Sequence, residues 1–192
     1  MKKLLLSLAI VIIFSAVGLI GQTPKANDKE IAIGVKTEFL VPDANLNLKF
    51  PNSKWSLTES KSGEYTFKRE AVTDSKGREN IPSIVIYVGN AEQYDQELTM
   101  FVSSKQQPRL KNGMKIDNTL TRGTPNYPLS CKNSIIYKCS YSDKDIEHNQ
   151  FMIYIINQND KGIQIYMDLA KDLAPEYLQE FLTIIQSIKD QK

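Results

Sequence analysis

Ser134–Lys189 reads SIIYKCSYSDKDIEHNQFMIYIINQNDKGIQIYMDLAKDLAPEYLQEFLTIIQSIK, and this stretch decides the fold. In its first run, Ile135, Tyr137, Cys139 and Tyr141 share one face at the period of two that marks a strand. Phe151–Asn157 is apolar on both faces, as a central strand covered on both sides must be. In Ile163–Leu169, Ile163, Ile165, Met167 and Leu169 face a core, with Gln164, Tyr166 and Asp168 opposite. Pro175 suits a first helical turn. Leu178, Phe181, Leu182, Ile185 and Ile188 then form one helical stripe. The joins are short and polar: Asp143–Asn149 is expected to be a loop and Asn157–Gly162 a turn. Three antiparallel strands and a closing helix follow.

Working back from this unit, the rest of a sheet appears. Leu46, Leu48 and Phe50 alternate with Asn47 and Lys49. Trp55 and Leu57 do the same beyond Pro51–Ser53, and the single Trp reads as a core anchor. Ser60–Gly63 signals a turn. Tyr65 and Phe67 then alternate with Thr66 and Lys68, and Asp74–Asn80 is a polar loop. Ile84–Val88 is again apolar on both faces, so a helix layer is required on each side of the sheet. Asn90 and Gln93 form a variant capping box. Tyr94, Leu98, Phe101 and Val102 follow as one apolar stripe, which predicts a helix over Ala91–Lys105, ended by Pro108. Leu110–Pro128 reads as a long irregular connection, with Met114–Asp117 and Thr119–Arg122 as candidate strand pieces.

Upstream, Lys2 and Lys3 precede a charge-free run, Leu4–Ile20. A basic start and an apolar core mark an export signal. The run has 17 residues, between a cleaved signal and a spanning helix of roughly 20. The expectation is export to the periplasm or medium, with retention as an inner-membrane anchor the alternative. Residues 1–21 are the signal or anchor and 22–36 a polar tether, in which Ile31–Val35 is tether or short edge strand. Residues 37–192 form one domain. Lys2 and Lys3 supply two of the 24 basic residues, so cleavage near Gly21 leaves 22 basic against 22 acidic. That balance argues against a nucleic-acid partner, which calls for a basic stripe.

Candidate chemistry is sparse. Cys131 and Cys139 invite a disulfide in an exported chain. However, eight residues of strand span about 26 Å, whereas bridged cysteines hold their Cα atoms about 4.4–6.8 Å apart. Ser134–Tyr137 offers no turn residue to close that gap, and two small core or edge residues are the simpler reading. His148, the only histidine, is expected as a solvated turn residue without metal ligands at sensible spacing. Asp143, Asp145, Glu147 and Asp160 form an acidic rim, but a calcium loop would need a glycine and a terminal glutamate that are missing. No phosphate loop or nucleophile elbow is present, and no cofactor is called for.

The order of elements resembles the PsbP-like superfamily. LNLKFPNSKW (Leu46–Trp55), the helix after a buried strand, and the terminal PEYLQEFLTIIQSIK (Pro175–Lys189) carry the resemblance over Thr37–Lys189. It implies an α+β domain: an antiparallel sheet of about six strands with helices on both faces. Members include extrinsic photosystem II subunits, a Ran-binding nuclear import factor and exported bacterial proteins. They act mostly as binding or assembly modules.

The expected function is therefore a non-enzymatic binding or assembly module of the bacterial envelope, with another envelope protein as partner. The expected contact surface comprises Arg122, Asn126 and Tyr127 of the long connection, and Asp143, Asp145 and Glu147 of the acidic rim. The alternatives are an envelope-polymer hydrolase working through paired carboxylates, and a small-ligand carrier using Trp55 and tyrosines in a pocket between sheet and helix.

Overall fold

The computed structural model describes residues 37–190. The leader, the tether and the segment Ile31–Val35 lie outside them. Among the described residues no helix is long and apolar enough to cross a membrane.

Twelve strands and two α-helices follow in chain order. They are β1 (Glu38–Val41), β2 (Leu46–Lys49), β3 (Trp55–Lys61), β4 (Glu64–Arg69), β5 (Val72–Thr73), β6 (Glu79–Asn80) and β7 (Ser83–Asn90), then α1 (Leu98–Lys111). After it come β8 (Lys115–Leu120), β9 (Ser134–Asp143), β10 (Ile146–Ile156), β11 (Lys161–Ala170), α2 (Ala174–Ser187) and β12 (Lys189–Asp190). The main sheet has seven strands in the order β3-β4-β7-β11-β10-β9-β8, antiparallel throughout. The expected β9–β10–β11 meander is there, with β11 and β10 near its centre. β1, β2 and β12 form a small second sheet.

Alternation assigns the two faces. On one, Phe67, Ile86, Ile153, Ile165 and Met167 pack under Phe181, Ile184 and Ile185 of α2 and under Leu46 and Leu48 of the small sheet. Burying each such side chain stabilises by about 1.5–3 kcal/mol. Trp55 is an anchor there, as expected: it lies 5.5 Å from Phe50 and 5.8 Å from Phe181, ring centre to ring centre. The opposite face meets α1 through Phe101, Val102, Met152, Tyr154 and Tyr166.

Two expectations are corrected. The helix expected over Ala91–Lys105 is displaced toward the C-terminus. Asn90 Oδ1 accepts the N–H of Glu92, so it caps only a 3-10 turn, Glu92–Tyr94. Asp95 and Gln96 then take positive φ and break the helical run. The α-helix starts at Leu98 and carries Pro108 inside it. Second, Asp143–Asn149 is not a loop. Lys144 and Asp145, both at positive φ, make a two-residue turn, and β10 starts at Ile146. This is the backbone of a tight hairpin, disguised by the missing glycine. The disulfide that Cys131 and Cys139 invite does not form, and the simpler reading of two small core residues stands. Both are buried, but Cys131 packs in the cluster beneath α2 and Cys139 in the cluster beneath α1.

Candidate functional site

The inward stripe of α1 changes character along its length. Leu98, Phe101 and Val102 come first; Lys105, Gln106 and Arg109 continue the same spacing. The first half seals the sheet: the Phe101 ring lies over Gly162, where a Cβ would stand 2.8 Å from its Cε2 and Cζ. The second half offers polar heads, so the sheet beneath it stays open to water. A groove results.

A row of tyrosines crosses four adjacent strands on the α1 face, and two of them, Tyr166 and Tyr87, line the groove. Tyr137, Tyr154, Tyr166 and Tyr87 follow one another with ring centres 6.0, 6.3 and 6.0 Å apart, each pair steeply inclined. Edge-to-face packing of this kind suits the ring quadrupoles. Arg109 lays its guanidinium on Tyr166, 3.6 Å from the ring centre. Three adjoining hollows of about 230, 430 and 250 Å³ share Arg109 in their linings. Among the described residues the Arg109 guanidinium has neither an ion pair nor a hydrogen bond.

One wall is a hydrogen-bonded cluster centred on Asp168. Tyr141 Oη donates to Asp168 Oδ2 at 2.6 Å, Gln150 Nε2 donates to the same oxygen at 3.2 Å, and His148 Nδ1 lies 2.8 Å from Oδ1. Register explains the meeting: His148 sits opposite Tyr141, and Gln150 opposite Asp168. The His148 side chain is 17% exposed and Asp168's 20%. The hydrogen bond to Asp168 raises the pKa of His148 above its ordinary value, against burial. Burial, followed by the Asp168 bond, pushes the Tyr141 hydroxyl far up. His148 is therefore not the solvated turn residue expected from the sequence. Gln150 is buried, and its Oε1 has no hydrogen-bond partner; Gln106 Nε2 on α1 is likewise unpartnered. Such orphans are uncommon in a folded interior.

The residues expected to form a contact surface are not gathered in one place. Arg122 and Asn126 are exposed in the connection between β8 and β9, while Tyr127 is half-buried and donates to Ser134 Oγ at 2.9 Å. Asp143 and Asp145 are exposed at the far end of β9, and Glu147 is paired with Lys171 at 2.8 Å. A ten-residue strand, about 30 Å long, separates the two sets. Leu110–Pro128 is also less irregular than expected, since α1 and β8 occupy much of it. Among the described residues no group of three or more His, Cys, Asp or Glu could hold a metal ion.

Sequence reasoning missed Arg109 because Pro108 reads as a helix stop. The signal was available: Arg109 lies seven residues beyond Val102 and eight beyond Phe101, on the same helical stripe.

No protein-family model matches the chain, and no curated protein is similar to it. Solved structures are similar in fold. A Pseudomonas aeruginosa protein of unknown function, PA94, matches with TM-score 0.53 at 13% identity, over 81% of this chain and 97% of its own. The Ran-binding protein Mog1p of Saccharomyces cerevisiae matches with TM-score 0.52 at 10% identity, over 79% of this chain and 93% of its own. A Bacteroides thetaiotaomicron structure matches with TM-score 0.49 at 12% identity over 82% of this chain, which spans about half (49%) of that protein's length. The resemblance read from the sequence therefore stands at the level of the α+β fold.

Proposed function

We propose that the protein is an exported, non-enzymatic binding module of the bacterial cell envelope, and that it recognises its partner in the groove centred on Arg109. One observation carries this reading: Arg109, whose guanidinium has no counter-ion, and Gln150, whose buried Oε1 has no donor, line the same hollows. Both are groups that a bound partner would satisfy. An unpaired buried acceptor costs about 1–3 kcal/mol, and a fold that keeps one beside a cleft holds it ready for a ligand. The apolar leader supports export. Mog1p, a Ran-binding protein, shares the fold, and a binding role fits that company. The hydrolase alternative needs two carboxylates in one cleft, and each of the three hollows around Arg109 is lined by at most one.

Retention of envelope material on the immobilised full chain tests the reading. Wild type should retain a component that Arg109→Gln releases, while replacing Arg122 and Asn126 together by alanine leaves it bound. Retention unaffected by Arg109→Gln would overturn the assignment of the groove.

A further inference from the structure

The groove's unsatisfied atoms are specific enough to define a ligand class. Arg109 offers planar N–H donors and positive charge, the natural seat of a carboxylate. Lys105 adds a second cation in the largest hollow. Gln150 lines the two smaller hollows, and its buried, unpartnered Oε1 can only accept. A bare anion such as sulfate would answer Arg109 and leave Gln150 unsatisfied. The ligand must therefore bring an anionic oxygen and a hydrogen-bond donor together.

The nature of that donor follows from Asp168. Its carboxylate shares the hollow with Gln150, but Tyr141, Gln150 and His148 already occupy both oxygens. An ammonium group is held best by a carboxylate, and the one carboxylate in these hollows is already engaged by three side chains. A hydroxyl needs a single acceptor. The rim supplies more neutral hydrogen-bonding groups for further hydroxyls: Asn112, Gln164 and Ser83. Hollows of about 230–430 Å³ lie at the small end of ligand sites, the size of one sugar unit and its neighbour.

Building on the binding-module reading, we infer that the groove binds an acidic sugar, with the sugar carboxylate on Arg109 and a hydroxyl donating to Gln150 Oε1. Galacturonic acid and its short oligomers are the probes. They are titrated calorimetrically into the full chain beside galactose, glycine and inorganic phosphate. Saturable binding of the uronate, absent with galactose and glycine and weaker with phosphate, is the expected result. Arg109→Gln should weaken it roughly tenfold or more, the loss of a charge-assisted hydrogen bond. Gln150→Leu should weaken it with galactose still unbound. Equal binding of galactose removes the role of Arg109, and equal or tighter phosphate removes the sugar. Preference for glycine points to an ammonium, and overturns the hydroxyl. No binding of any probe overturns the proposal. The half-exposed Arg109 makes its variant safe for folding, and a thermal melt verifies this. If uronate fails but envelope material is still held through Arg109, the sugar assignment falls and the binding-module reading stands. If neither is held, both fall.

Discussion

Tyr141 and His148 face each other across the β9–β10 ladder with their rings stacked, centres 4.8 Å apart and planes 15° from parallel. Both reach Asp168 on β11. The pair ties three strands together on the open half of the α1 face.

That tie should be pH-dependent. Its hydrogen bond to Asp168 holds His148 above its ordinary pKa of 6.5, with burial opposing. A group raised on folding gives its full stabilisation below the unfolded pKa and loses it as pH climbs through the folded one. The urea midpoint should therefore fall as pH rises above the ordinary value of 6.5, by an increment that His148→Gln abolishes. An identical pH profile in the variant would show that the imidazolium contributes nothing.

A second cluster staples α2 to β3 and β4. Glu180 accepts from Arg69 Nε at 3.0 Å and Nη2 at 3.2 Å, from Trp55 Nε1 at 3.0 Å and from Asn52 Nδ2 at 3.0 Å. Arg69 is 7% exposed. Burial alone would raise the Glu180 carboxyl; Arg69 and Trp55 outweigh it and bring the pKa below the ordinary value. Removing one partner strands the other, so Glu180→Ala should cost about 3–5 kcal/mol in chemical denaturation. Replacing both, Arg69→Met with Glu180→Leu, should recover most of that. A double variant as unstable as the single would contradict this account.

Gly162 should be intolerant of a methyl group. Its Cβ would meet the Phe101 ring at 2.8 Å, and overpacking of this kind costs about 1–3 kcal/mol. Gly162→Ala should lower the melting temperature, and Phe101→Leu in that background should cost less than it does alone. Additive losses would show that the two do not compete for space.

The thiols should be inert. Burial, aided by Asp117, pushes Cys139 up to about 12, and Cys131 is also buried. Only the thiolate reacts, so a thiol reagent at pH 8 should label neither in the native chain and both in denaturant. Prompt labelling of Cys139 would contradict its placement under α1.

Much of the sheet is legible in the sequence because β4 and β11 alternate, β7 and β10 carry apolar runs that mark strands covered on both faces, and the α2 stripe is unbroken. What is hidden depends on contacts between distant residues. Nothing near Glu180 announces that Arg69, Trp55 and Asn52 converge on it. His148 is hidden by the Lys144–Asp145 turn, whose conformation usually demands glycine or asparagine. The groove is hidden by α1 itself: an inward stripe that begins as Leu98 and Phe101 and ends as Lys105 and Arg109 is readable only once the helix is known to pass Pro108.

The central claim is that Arg109, and not the Arg122 connection, meets the partner. Nuclear magnetic resonance reports both side chains at once, through their Nε–H signals, as soluble bacterial envelope extract is added to the full chain. The groove predicts that Arg109 and the Gln150 side-chain amide shift while Arg122 stays in place. Shifts confined to Arg122 and its neighbours would contradict it.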